Sequence, residues 1–95
     1  MYTLYYSHDA KKDFKKIEKS HHKDSCLQLL DLIAQNPFQI PPPYKKLSGI
    51  YEGMYSRRIN IQHRLFYEVD EKNKRIKVLK IWNHYYDNQK TQRNK

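Results

Sequence analysis

The chain has 95 residues, enough for one small domain with a modest hydrophobic core. Its 19 Lys and Arg residues outnumber its 10 Asp and Glu residues, which gives a formal net charge of +9. An aromatic content of 14% is too high for a disordered chain, and no apolar run approaches the roughly 18 residues of a membrane-spanning helix. The charge favours a polyanionic partner, nucleic acid in particular, over a membrane. The alternative is a basic domain whose lysines are only solvated.

Cysteine usage and the N-terminal residues indicate the compartment. Cys26 is the one cysteine of the sequence, so no intramolecular disulfide can form, which fits a reducing cytoplasm. Residues 1–6 lack the basic region and the long apolar stretch of a signal peptide. We therefore expect a cytoplasmic protein.

The first third of the chain predicts a strand followed by a helix. Residues 2–6 are aromatic and β-branched, as in a strand. Ser7 can cap the helix that follows. Ala10, Phe14 and Ile17 recur at helical spacing, so the helix should bury a narrow apolar stripe and expose its lysines.

A second helix is predicted over residues 24–36, where the apolar residues are spaced i, i+3, i+4 and i+7. Its stripe is formed by Cys26, Leu29, Leu30 and Ile33. The helix should end before Pro37, because proline disfavours the α conformation in the residue that precedes it. The short interruption over residues 20–25 predicts that the two helices form an antiparallel hairpin.

Residues 37–53 hold all four prolines and both glycines, which predicts an irregular segment. Three consecutive prolines favour a rigid, extended connector, and a proline-rich ligand for another domain is the alternative. Three strands should follow, over residues 54–59, 63–69 and 75–82.

The order β-α-α-β-β-β predicts an α+β fold. We expect an antiparallel sheet of about four strands with the N-terminal helical hairpin packed on one face. Residues 1–86 should form this single domain. Residues 87–95 contain no apolar residue and should form a basic, disordered tail.

The five histidines raise the question of a metal site, but their spacing does not support one. Neither a CxxC nor an HExxH pattern is present, and His21 and His22 are adjacent in the predicted joint between the helices. We therefore predict no metal and no cofactor.

Cationic and aromatic side chains alternate on the predicted strands. Cations bind phosphates and aromatic faces stack on unpaired bases, the combination that recognises single-stranded RNA. The alternative is a sheet whose polar face is merely basic. The cationic residues are Arg57, Arg58, His63, Arg64, Lys80 and His84, and the aromatic ones are Tyr51, Tyr55, Tyr67, Trp82, Tyr85 and Tyr86.

His84 adds chemistry to this set of residues. RNA is cleaved when its 2′-hydroxyl attacks the neighbouring phosphate, which requires a proton acceptor, a cation and an acid for the leaving 5′-oxygen. Histidine exchanges protons near neutral pH, and arginine matches phosphate oxygens in a two-pronged geometry. Composition alone favours a scaffold role for a single histidine at a strand end.

Two stretches together identify a family. The segments "YSRRINIQHRLFYEV" and "VLKIWNHYY" resemble the Txe/YoeB branch of the RelE-type toxins of bacterial toxin–antitoxin systems. The resemblance covers nearly the whole chain, including "NPFQIPPPYKKLSG". It implies a metal-independent endoribonuclease that cuts mRNA, typically in the ribosomal A site, and that a cognate antitoxin inhibits.

The resemblance also implies roles for individual residues. The family's phosphate-stabilising arginine falls on Arg64, its general-acid histidine on His84, the following tyrosine on Tyr85, and the second arginine of "SRRI" on Arg58. Relatives carry a glutamate base two residues before the loop leucine, and that position is Lys45 here. Lys45 is therefore the candidate either to accept the 2′-proton or to bind the phosphate.

The complete hypothesis is a ribosome-dependent mRNA endoribonuclease. Its partners would be the ribosome, mRNA and an acidic, partly disordered antitoxin segment, and it would be a monomer or a homodimer. Because the base position departs from the family pattern, an RNA- or ribosome-binding module with impaired catalysis is the alternative. A basic domain that binds only protein is a third hypothesis. The predicted RNA-binding residues are Arg57, Arg58, His63, Lys46 and Tyr55.

Overall fold

The computed structural model describes residues 1–61 and 63–84, with residues 82–84 described by their backbone. Tyr85 and the predicted tail over residues 87–95 lie outside the described residues. The elements are β1 (Thr3–Tyr6), α1 (His8–Glu18), α2 (Lys23–Gln35), β2 (Tyr44–Lys46), a 3-10 turn (Gly49–Tyr51), β3 (Met54–Arg58), β4 (His63–Asp70) and β5 (Arg75–His84). None of the helices in these ranges is long and apolar enough to cross a membrane.

The predicted α+β class is confirmed, and the sheet differs from the prediction in two details. It has five strands in the order β1-β5-β4-β3-β2, and β1 runs parallel to β5. β2 is a three-residue edge strand directly after the prolines, where the sequence predicted irregular structure. Short connections force neighbouring strands to be antiparallel, whereas β1 reaches the sheet through two helices, which leaves its direction open.

Helix α1 is attached to β5 at two points. The Ser7 hydroxyl accepts from the backbone N–H of Ala10 at 3.0 Å, as an N-cap, and donates to the Leu79 carbonyl at 2.8 Å. One to two turns later, the buried carboxylate of Asp13 accepts from the backbone N–H of Ile81 at 3.3 Å. These contacts fix the helix over β5, whose C-terminal end carries His84.

Both helices pack on one face of the sheet and form a single hydrophobic core. Cys26 lies fully inside it, as its place in the apolar stripe predicted. Burial raises the pKa of the Cys26 thiol to about 11, so the thiol stays protonated at neutral pH and is not a nucleophile. The core residues are Ala10, Ile17, Cys26, Leu29, Leu30, Ile33, Leu65, Tyr67, Ile76, Val78 and Ile81.

A buried arginine holds the proline loop, residues 37–43, against the sheet. Arg57 on β3 is 0% exposed. Its guanidinium donates to the backbone carbonyls of Pro37 at 2.9 Å, Gln39 at 2.8 Å and Pro42 at 2.6 Å. It also donates from Nε to the Tyr67 hydroxyl at 3.0 Å. Both terminal guanidinium nitrogens therefore bind this loop, and Nε binds the sheet through Tyr67.

The Tyr67 hydroxyl completes the same network by donating to the Pro37 carbonyl at 2.8 Å. Burial raises the pKa of Tyr67, although the nearby Arg57 charge opposes that shift. The hydroxyl therefore stays protonated and keeps its donor role. An aromatic cluster surrounds it, in which Tyr55 stacks on Tyr67 with ring centroids 5.8 Å apart and meets Phe38 and Tyr44 edge-on.

Replacing Arg57 by methionine should lower the free energy of unfolding by about 3 kcal/mol, because the carbonyls of Pro37, Gln39 and Pro42 lose the guanidinium as a donor while most of the side-chain volume is kept. The control is Arg58→Met at the neighbouring, exposed arginine, which should change stability by no more than about 0.5 kcal/mol. Urea unfolding of both variants measures the difference. Equal midpoints would contradict the structural role of Arg57.

Candidate nucleic-acid interface

The alternation of side chains in β4 separates two faces of the sheet. Leu65 and Tyr67 are fully buried beneath the helices. Arg64 and Phe66 alternate with them and therefore point to the opposite side, where both are partly exposed.

The register between strands shows which residues of β3 and β2 lie on the same side of the sheet as Arg64 and Phe66. Ser56 of β3 lies opposite Phe66, and Lys45 of β2 lies opposite Ser56. Residues that face each other across neighbouring strands point to the same side of a sheet. We call this side the outer face and define it by Lys45, Ser56, Arg64 and Phe66.

The Arg64 guanidinium is held by a hydroxyl on the neighbouring strand. Its Nε and Nη2 atoms donate to the Ser56 Oγ atom at 3.2 and 3.0 Å. Ser56 is only 1% exposed, so its hydroxyl is a fixed acceptor. The arrangement orients a permanent positive charge on the outer face before any ligand binds.

Arg58 ends β3 and is exposed, with its backbone opposite Arg64. It also borders a shallow pocket beside α2 that includes Leu29 and Pro42. Like charges close together on adjacent strands repel, and a bound anion relieves that repulsion. Arg58 therefore adds an exposed positive charge at the end of β3, one strand away from Arg64.

The two lysines of β2 are both exposed and have different neighbours across the strand. Lys45 lies opposite Ser56 on the outer face, so it shares a face with Arg64. Lys46 lies opposite Tyr55, which packs on the helix side of the sheet. The register therefore brings Lys45, but not Lys46, to the face that carries Arg64.

His63 belongs to a buried polar network. It is 5% exposed, and Asn60 Oδ1 accepts from its backbone N–H and lies 2.9 Å from its Nδ1 atom. A backbone N–H can only donate, so the Asn60 atom that faces it is the amide oxygen. The NH₂ group of Asn60 is then the atom that lies 3.2 Å from Nδ1 of His22. The network joins the start of α2 to the β3–β4 turn.

The C-terminal end of β5 lies next to Arg64. The backbone of His84 pairs with His63, and that of Asn83 pairs with Arg64. The strand ladder thus brings the backbone of the predicted general acid within one residue of the predicted phosphate-binding arginine. Tyr85 falls outside the described residues.

Four of the predicted RNA-binding residues lie on the helix side of the sheet, namely Arg57, His63, Tyr55 and Lys46. Arg57 and His63 are buried, and their described contacts are within the protein, so neither lies on the face that carries Arg64. Tyr55 is partly buried and stacks on Tyr67 in the aromatic cluster rather than standing beside Arg64. The alternation of side chains along a strand explains why these residues do not lie beside Arg64, because neighbouring residues of a strand face opposite sides of the sheet.

Ser56, which holds Arg64 in place, is not among the site residues predicted from the sequence. The signal was present as a small hydroxyl residue one position before two arginines in a predicted strand, but only the β3–β4 register pairs it with Arg64. Across the described residues no group of three or more His, Cys, Asp and Glu side chains is arranged to bind a metal ion.

Comparisons with known proteins identify the family. Residues 4–85 match the family model described as the YoeB-like toxin of bacterial type II toxin–antitoxin systems. A search of curated protein sequences gave no match.

Solved structures agree with this assignment. YoeB from Staphylococcus aureus, in a heterotetrameric complex with YefM, shares 31% identity at a TM-score of 0.75, with 90% of this chain and 99% of that chain covered. The S. aureus YoeB dimer has the same identity and TM-score over 88% of this chain and 98% of that one. The YoeB/ParE toxin from Agrobacterium tumefaciens shares the fold, with a TM-score of 0.79 and 24% identity over 87% of this chain and 99% of that one. The chain therefore belongs to the YoeB-like toxin family of bacterial type II toxin–antitoxin systems.

Proposed function

We propose that this chain is a ribosome-dependent mRNA endoribonuclease that acts in the cytoplasm and inhibits translation. The observation that carries the proposal is the Arg64 guanidinium. It is oriented by Ser56 on the outer face, one strand away from the C-terminal end of β5. A cation and a proton donor are two of the three groups that phosphate cleavage by the RNA's own 2′-hydroxyl requires.

The proposed reaction breaks one bond and forms one bond at phosphorus. The 2′-oxygen attacks the adjacent phosphorus and the bond to the 5′-oxygen breaks, leaving a 2′,3′-cyclic phosphate and a free 5′-hydroxyl. Arg64 stabilises the negative charge that develops on the phosphate oxygens, and its prior orientation avoids reorganisation during the reaction. His84 donates a proton to the departing 5′-oxygen.

Lys45 is our candidate for the group at the 2′-hydroxyl. It is exposed on the outer face, opposite the serine that holds Arg64. As a neutral amine it accepts the 2′-proton, and as an ammonium it binds the phosphate alongside Arg64 and Arg58. Either role makes Lys45 part of the site, and Lys46, which lies on the other side of the strand, is its matched control.

A cognate antitoxin is the proposed inhibitory partner. A chain of net charge +9 with a cationic outer face is complemented by an acidic segment that folds as it binds. The S. aureus relative has been solved both as a complex with YefM and as a dimer, which supports an antitoxin partner here and either a monomer or a homodimer for the free toxin.

The second candidate function is an RNA- or ribosome-binding module with impaired cleavage. It is favoured by one observation, the lysine at position 45 where the family resemblance implies a carboxylate base. Mapping the 5′ ends of ribosome-bound mRNA after expression separates the two functions. New ends within codons support cleavage, and slowed growth without new ends supports the binding module.

Alanine at Arg64 or at His84 should abolish growth arrest and lower the rate of mRNA cleavage on the ribosome by on the order of a hundredfold or more. The matched controls are Arg75→Ala and His8→Ala, at an exposed arginine and an exposed histidine elsewhere. Single-turnover cleavage and a thermal melt measure activity and folding. Arrest at the normal level by a folded Arg64 or His84 variant would remove that residue from the mechanism.

Lys45→Ala should slow single-turnover cleavage of ribosome-bound mRNA at least tenfold, because it removes a base or a phosphate-binding cation from the outer face. Lys46→Ala deletes the same charge one residue along the same strand and should leave the rate unchanged. Lys45→Glu tests the family's carboxylate directly. A Lys45→Ala variant as fast as wild type would exclude Lys45 from catalysis.

Binding to single-stranded RNA should weaken steeply with salt. Each phosphate contact contributes roughly 0.7 to the slope of log affinity against log salt, so three contacts, from Lys45, Arg58 and Arg64, predict a slope of about −2. Fluorescence anisotropy between 50 and about 300 mM salt measures it. The slope for the Arg64→Ala variant should be shallower by about the contribution of one phosphate contact. A wild-type affinity that does not change with salt would contradict phosphate binding.

A further inference from the structure

Phe66 is an aromatic residue on the outer face of the sheet. Its neighbours Leu65 and Tyr67 are fully buried under the helices, whereas Phe66 points away from them and is partly exposed. The partly buried hydrophobic residues that pack against the core include Phe14 and Tyr55 but not Phe66. Its burial therefore does not contribute to the core beneath the helices.

The residues beside Phe66 on the β3 side of the sheet and along its own strand are polar and cationic. Ser56 lies directly opposite it on β3, and Lys45 lies opposite Ser56 on β2. Arg64 is two residues away on the same strand and the same face, a separation of roughly 7 Å at about 3.4 Å per residue. An apolar ring thus lies within one nucleotide's length of an oriented guanidinium.

This combination matches the chemistry of single-stranded RNA. A nucleotide presents an anionic phosphate and a flat, apolar base several ångströms apart, and proteins bind the pair with a cation and an aromatic face. An apolar protein segment would satisfy the ring but not the arginine beside it. The charge on this face therefore favours RNA over an apolar protein partner.

We propose that a base of the bound RNA stacks on Phe66 while the neighbouring phosphate contacts Arg64. The inference rests on the proposed function and adds to it. The proposed function concerns contacts to the phosphates of the RNA, whereas this inference identifies a residue that contacts a base. Stacking is tolerant of sequence since every base has a π-face, so Phe66 contributes affinity and positions the nucleotide beside the scissile phosphate.

The test compares two probes, a short single-stranded RNA that 2′-O-methylation makes uncleavable and the same ribose–phosphate chain without bases. Phe66→Leu should weaken binding of the RNA by roughly five- to a hundredfold and leave binding of the abasic chain unchanged. The matched control is Tyr5→Leu. It changes an exposed aromatic residue on β1 that also has an arginine nearby, with the Arg75 guanidinium carbon 5.7 Å from the ring centroid. This control should bind both probes as wild type does.

Phe66→Trp covers the case in which the leucine variant does not fold. Its added tryptophan fluorescence, relative to the Trp82 signal of wild type, should be quenched by the RNA and not by the abasic chain. Unchanged RNA binding by a folded Phe66→Leu variant, or an equal loss on both probes, would overturn the stacking proposal. Weaker binding of the Phe66→Leu variant to a polyglutamate peptide, with its RNA binding unchanged, would also overturn the proposal. That result would assign the ring to a protein interface.

Failure of the proposed function gives a different result. Cleavage of ribosome-bound mRNA by wild type is measured separately, and its absence refutes the nuclease whatever the substitutions at position 66 do. Cleavage by wild type together with equal affinity for both probes refutes stacking and leaves the nuclease intact.

Discussion

A buried positive charge organises the side of the sheet on which β2 lies. The Arg57 guanidinium is fully buried, and a buried charge is stable only when its hydrogen-bonding groups are satisfied. The proline loop presents three carbonyls, of Pro37, Gln39 and Pro42, all of which accept from this guanidinium. The charge and the carbonyls therefore satisfy each other. Fixing the loop in this way lets β2 begin at Tyr44, and the strand then carries Lys45 to the outer face.

The two arginines of the "SRRI" segment show how a strand assigns opposite roles to neighbours. Arg57 points toward the helices and serves folding, while Arg58 is exposed and lies opposite Arg64. Ser56, on the other side of Arg57, points to the outer face and holds Arg64. One short segment thus supports the proline loop from one face of the sheet and orients a candidate catalytic cation on the other.

The Ser56–Arg64 contact explains how a small, basic domain can prepare a site for an anion. A free arginine side chain has many rotamers, and ordering it when a ligand binds reduces affinity. Here the hydroxyl orders the guanidinium in the absence of a ligand. In the proposed reaction this preorganisation directs the charge at the phosphate oxygens, where negative charge develops.

Features that depend on local spacing and on short motifs could be predicted from the sequence. Helical periodicity located α1 and α2, Ser7 was predicted to cap α1, Cys26 was predicted to lie in the core, and the paired-arginine hairpin identified the family. These features depend on residues that are near one another in the chain, so the residue pattern alone is enough to predict them.

The side of the sheet that each strand residue occupies depends on contacts that form in the folded protein. The structure has Arg57, His63, Tyr55 and Lys46 on the helix side of the sheet, and Ser56 and Phe66 beside Arg64. It also showed the edge strand β2 and the parallel pairing of β1 with β5. The cause is strand register, that is, which residues of neighbouring strands lie opposite each other. A shift of one residue reverses every side chain of a strand, and register is set by contacts between distant segments, such as Arg57 with the proline loop, that no local pattern contains.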